Sequence, residues 1–147
     1  MMLDEHVISA GFRTRSRTIT ETDLVAFSAL TGDRHPQHSD ALWAASSAFG
    51  ERIAHGMLVL SYAIGLVELD PERIVAMRAI HKATFKQPVR IGDTISVRGR
   101  LLGDQELGDV AKLLRIELRI VRDDDEKLIA RLEVDAVARV EAGEAVT

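Results

Sequence analysis

The sequence contains no cysteine. That excludes disulfides, thiolate zinc sites and cysteine nucleophiles, and it fits a reducing, cytoplasmic location. The chain also lacks the run of about 20 apolar residues that a membrane span needs. Its longest nearly apolar stretch, residues 53–67, is interrupted by His55, Ser61 and two glycines. The opening segment MMLDEHVISAG carries acidic side chains and no long apolar core, unlike a secretory signal. Nor is there a surplus of basic residues. Nineteen Lys and Arg stand against 23 Asp and Glu, a formal charge of -4, which argues against nucleic acid or an anionic membrane as a partner. No internal repeat or low-complexity segment divides the chain, and 147 residues suit one domain, 1–147, with a single core.

Periodicity organises what is present. After an irregular start, residues 11–19 alternate and predict a strand. Thr20 offers a helix N-cap with Glu21 and Asp23 in the first turn, and Gly32 offers a stop. A short helix is expected over 40–48 and a more apolar one over 56–69, with Pro71 beyond its end. The period then changes to two over 79–86, 94–101, 114–120 and 128–139, with turn-rich links at 92–93, 103–109 and 123–127. The expected architecture is α+β: an antiparallel sheet covering the 56–69 helix, whose Ser61, Ala63 and Gly65 would allow close wrapping. Open sheet edges and a modest core predict pairing of two subunits.

Chemistry concentrates in TGDRHPQH, residues 31–38. Pro36 biases His35 away from the helical region and predicts an extended loop. In such a loop Asp33 and His38 can converge on one water and exchange protons with it, which is general acid–base work. The alternative, with equal claim from residue types alone, is that both only satisfy backbone groups in a turn. Asp33 and His35 with His38 or His55 also have the composition of a two-histidine, one-carboxylate metal set, but no two histidines stand at i, i+4 on a helix, so no metal is expected. Ser39, Ser46, Ser47 and Ser61 lack a nucleophile-elbow context. Further on, RIAHGMLVLS puts Gly56 at the start of the long helix, where its N–H is free to donate to an oxygen gaining charge. Alternatively, the glycine only permits a tight approach. His55 reads as an orienting or packing residue. Arg13, Arg15 and Arg17 share one strand face, read as solvated in preference to a phosphate contact.

The segment TGDRHPQHSDALWAASSAFGERIAHGMLVLSYAIG resembles the signature region of MaoC-like dehydratases, the (R)-specific enoyl-CoA hydratase family, and FKQPVRIGDTI resembles that family's later strand–turn segment. The resemblance implies a hot-dog fold, with a sheet wrapped around the long helix, and homodimers. It implies a cofactor-free hydratase/dehydratase that interconverts trans-2-enoyl and (R)-3-hydroxyacyl thioesters of CoA or acyl-carrier protein. Asp33 and His38 would be catalytic, and Gly56 with His35 would serve oxyanion and substrate binding. The family usually has asparagine where this chain has His35, a bulkier group that also donates and accepts. Two alternatives are a hot-dog acyl thioesterase and a non-catalytic acyl-CoA-binding module.

Overall fold

The computed structural model describes residues 2–140. The start is helical rather than irregular. Asp4 caps α1 (Glu5–Ala10) by accepting from Val7 N at 2.9 Å. A six-residue helix carries too little apolar periodicity to be read from sequence. The expected strand over 11–19 is two fragments, β1 (Phe12–Arg13) and β2 (Arg17–Thr18), both paired antiparallel with one later strand. Between them the Thr14 hydroxyl takes the N–H of Val97 at 3.0 Å, so a side chain stands in for a ladder acceptor and the strand breaks.

Helix α2 (Glu21–Thr31) begins as expected. Thr20 and Asp23 cap each other's backbone N–H reciprocally, and Gly32 closes the helix in the left-handed region at φ 80. The extended loop expected around Pro36 is instead partly helical: α3 (Pro36–Ser39) is a single turn of helix. Pro36 sits at its first position, where the missing N–H costs nothing and φ is preset, while His35 keeps the extended backbone that a following proline requires. Then come α4 (Ala41–Ala45), capped by Asp40, and α5 (Gly56–Leu66), both shorter than expected.

Four long strands complete the fold: β3 (Ile74–Phe85), β4 (Thr94–Leu107), β5 (Ala111–Arg122) and β6 (Leu128–Arg139). The segment 103–109, expected as a turn, mostly extends β4, because ladder pairs continue to Leu107 with Ala111. The sheet is antiparallel in the order β1-β4-β5-β6-β3, with β2 also on β4. One face carries Val97, Ile116, Leu118, Leu132, Val134 and their neighbours against Leu58, Val59 and Ala63 of α5. Of the small residues expected to face the sheet only Ala63 does so; Ser61 and Gly65 are exposed.

Two further departures have physical causes. β3 is largely exposed rather than half-buried, because it is an edge strand with register shifts that break its alternation. On the outer face of β5 and β6, Glu117, Glu133 and Asp135 are buried rather than solvated. Arginines lie across them: Arg100 and Arg131 on Glu117, and Arg115 on Asp135. Long guanidinium side chains of neighbouring strands cover carboxylates that are themselves too short to reach water.

Candidate active site

Local hydrogen bonds shape the 31–38 segment. The Thr31 hydroxyl donates to Phe27 O and accepts from Asp33 N, so the chain leaves α2 on a fixed course. The Asp33 carboxylate accepts from His35 N at 3.2 Å. The His35 ring caps α3, its Nδ1 accepting from Gln37 N at 3.1 Å. Gln37, buried, donates from its side chain to Glu51 O and accepts Ile53 N at its own carbonyl. These two bonds dock α3 against the segment that leads into α5.

His38, half-buried, is thereby presented to Ile53, with Nδ1 2.7 Å from the Ile53 carbonyl. A carbonyl only accepts, so Nδ1 carries the proton, and the neutral ring keeps Nε2 as a bare acceptor. His55 is held by the same logic. Its Nε2 lies 3.1 Å from Asp33 O and 3.1 Å from the Ser28 hydroxyl, so Nε2 carries its proton. The His55 and His38 rings stack at 3.9 Å with 25° between their planes. Burial pushes the His55 pKa down, and the neighbouring His38 adds to this; the Asp33 carbonyl and charge pull the other way without prevailing. His55 Nδ1 is buried with no partner among the described residues.

Asp33, His38 and His55 therefore converge: one potential donor atom from each lies within 4.8 Å of the others. His35 is separate. It is exposed, packs edge-on against Trp43 at 5.4 Å, and lines neither cavity beside His38. The metal reading of the cluster fails on ring geometry. An imidazole ligates through a lone pair in its own plane at about 2 Å, and two rings stacked nearly parallel cannot both aim such a pair at one ion.

Gly56 begins α5, so its N–H has no acceptor within the helix. A cavity of about 410 Å³ opens beside it, lined by His38, Ile53, Gly56, Val59, Phe85 and Ile129 among others. A second cavity, of about 310 Å³, is also lined by His38 and has Glu21, Arg34 and Arg52 among its lining residues. The arrangement sets a bare imidazole nitrogen and a free backbone donor at an apolar chamber, with the Asp33 carboxylate beside the imidazole but outside the residues that line the chamber. It can move protons to and from a small polar group while accommodating an apolar chain.

The sequence pattern of the family described as "MaoC like domain" matches residues 5–117. The chain belongs to the MaoC-like family. Its fold is the hot-dog fold of that family: a Mycobacterium tuberculosis protein described as having a double hotdog fold matches at TM-score 0.82 and 18% identity, over 96% of this chain and 44% of that one. The MaoC-like chain also matches the monoamine oxidase regulatory protein structure from Archaeoglobus fulgius at TM-score 0.86 and 31% identity, over 92% of each chain. The (R)-specific enoyl-CoA hydratase of Aeromonas caviae is 31% identical over 107 residues, which is 72% of this chain and 80% of that protein. Three other curated relatives are longer, and the chain spans 26%, 52% and 61% of their lengths.

The remaining sequence candidates have structural partners. Ser39, Ser46, Ser47 and Ser61 all donate to carbonyls of nearby backbone. Arg13, Arg15 and Arg17 pair with Asp123, Glu68 and Asp23. Ser28 and Gln37 escape sequence reading. Each is a small or neutral polar residue in a helix, and only its burial against the site marks it out.

Proposed function

We propose that this MaoC-like chain is a hydro-lyase that hydrates trans-2-enoyl thioesters and dehydrates (R)-3-hydroxyacyl thioesters, without a cofactor. The observation that carries the reading is the convergence of the Asp33 carboxylate and the His38 ring within 4.8 Å, His38 itself lining the apolar cavity that Gly56 also lines. In hydration, a water held between Asp33 and His38 gives up a proton to this pair, His38 Nε2 being the available nitrogen. The water oxygen bonds to the β-carbon. The C=C electron pair moves onto the α-carbon and thioester oxygen, which the Gly56 N–H stabilises as an enolate. The pair then returns one proton to the α-carbon, and dehydration retraces these steps.

The acyl chain occupies the apolar cavity, and the carrier is CoA or acyl-carrier protein. The chain acts as one domain, which the single sheet and continuous core support; Met1 and residues 141–147 of the expected 1–147 lie outside the described residues. It works in the cytoplasm, a reading that rests on the absent cysteines; among the described residues no helix is long and apolar enough to cross a membrane. It pairs with a second copy through β3. Val75, Met77, Ile80 and Phe85 are exposed along that edge, and Met57, Ser61 and Gly65 form an exposed stripe on α5.

Purified protein with crotonyl-CoA and longer enoyl-CoAs tests the activity by loss of the conjugated enoyl absorbance. Asp33→Asn and His38→Ala should each lower turnover about a hundredfold or more. Wild-type turnover in both variants overturns the assignment. Release of free thiol identifies a thioesterase instead, and saturable binding without turnover on either carrier identifies a binding module. Light scattering reads the assembly.

A further inference from the structure

His55 belongs to no step of the proposed reaction, yet it contacts each part of the machinery. Its Nε2 faces the Asp33 carbonyl at 3.1 Å, its ring face stacks on His38 at 3.9 Å, and the next residue along the chain is Gly56. Phe27 closes a further side at 5.0 Å. Asp33 itself is exposed, and its other hydrogen bonds stay within its own turn, to Thr31 and His35. The bond to His55 is therefore the tie from the Asp33 residue to the protein interior.

The second nitrogen of His55 is a handicap to the fold. Nδ1 is buried and without a partner among the described residues, an arrangement that costs stability. A phenylalanine would remove the stranded Nδ1, at the cost of the Nε2 bonds to Asp33 O and the Ser28 hydroxyl. An imidazole kept in spite of that handicap is explained by what its other nitrogen and its ring face do.

We infer that His55 is a positioning residue, whose Nε2–H holds Asp33 in place while its ring face orients His38. The inference rests on the proposal that Asp33 and His38 handle the reacting water. The two nitrogens have opposite jobs: Nε2 must keep its proton for the carbonyl, so Nδ1 must stay bare. A cationic ring here would also repel the proton that His38 takes up during turnover. The groups facing His55 are His38 from α3, Asp33 from the preceding turn, Ser28 and Phe27 from α2; of these only His38 and Asp33 titrate.

His55→Phe and His55→Gln test it by separating stability from turnover. In His55→Phe the loss of the stranded Nδ1 offsets the loss of the Nε2 bonds, so the variant should melt within a few degrees of wild type and keep KM within about threefold, with kcat lowered about tenfold or more by the misplaced carboxylate. His55→Gln, which restores an N–H donor, should recover part of that kcat. Wild-type kcat in His55→Phe overturns the inference, as does a joint fall of melting temperature and kcat in both variants, the signature of a merely structural residue. Should His55→Phe fail to fold, His55→Gln against His55→Leu decides, because equal kcat in that pair overturns it. Imidazole nitrogen NMR of the substrate-free protein gives a readout independent of turnover. Protonation at Nε2 supports the inference and protonation at Nδ1 overturns it, even if the wild-type protein turned over no enoyl thioester and only the hydratase reading failed.

Discussion

The Phe85 ring occupies the space into which a side chain at Gly56 would project: an added Cβ would lie 2.8 Å from the ring. The absence of a side chain at 56 thus keeps Phe85 over the start of α5, where both residues line the larger cavity. Gly56→Ala retains the backbone N–H but must displace the ring. Its kcat/KM should fall about tenfold or more, because small displacements at a reacting centre are costly. Steady-state kinetics beside a thermal melt check this. The clash falls on the far end of the Phe85 side chain, which can swing aside without moving backbone, so the melting temperature should change little.

A second close approach is purely structural. An added Cβ at Gly99 would meet the Phe12 ring at 2.1 Å, and Phe12 is pinned in the core with 9% exposure. Gly99→Ala should destabilise the fold by about 1–3 kcal/mol. In a Phe12→Ala background the same change should cost much less, so a double-mutant cycle by urea unfolding should show strong coupling.

The outer sheet face predicts acid sensitivity. The Arg115 hydrogen bonds, with help from His81, hold the Asp135 carboxyl at about 2 against the opposing effect of burial. A depressed carboxyl pKa stabilises the fold above the unfolded value of 3.8, and this contribution is lost as pH falls from there through about 2. It amounts to at most about 2 kcal/mol, reduced by the solvent exposure of Arg115. Unfolding curves of wild type and Asp135→Asn should differ at pH near 7 and converge as pH approaches 2.

Stacked His38 and His55 rings imply indifference to chelators. Turnover after exhaustive treatment with EDTA should equal untreated turnover, with added zinc giving no increase. A loss restored by one metal would contradict the ring-geometry argument.

The site is legible in sequence wherever it depends on residue types that do chemistry. Asp33, His38 and Gly56 stand out in TGDRHPQH and AHGM, and the structure brings the first two together beside the third. The turn that carries His38 is not legible in the same way, because the bias imposed by Pro36 acts on His35 and leaves residues 37–39 free to coil. Proline as the first helical residue starts a turn as readily as it ends one. Ser28 and Gln37 are invisible because their roles depend on burial by distant parts of the chain. The same holds for the outer sheet face, where alternation marks Glu117, Glu133 and Asp135 as solvated. Alternation reports side, and only the neighbouring strands, brought alongside by register, supply the arginines that cover them.

The bonds between Gln37 and Ile53, and between His38 and the Ile53 carbonyl, join positions separated by one short stretch of chain. Closing so short a loop has a small entropic cost, and the segment between its ends is mostly helical turns with their own hydrogen bonds. His38 therefore belongs to a locally closed unit that need not open when the sheet frays at β3, and His55, two residues past its end, ties Asp33 to it. Amide protons around His38 should exchange on their own timescale, distinct from those of the edge strand. Loss of order at that edge and loss of the catalytic geometry would then be separate events.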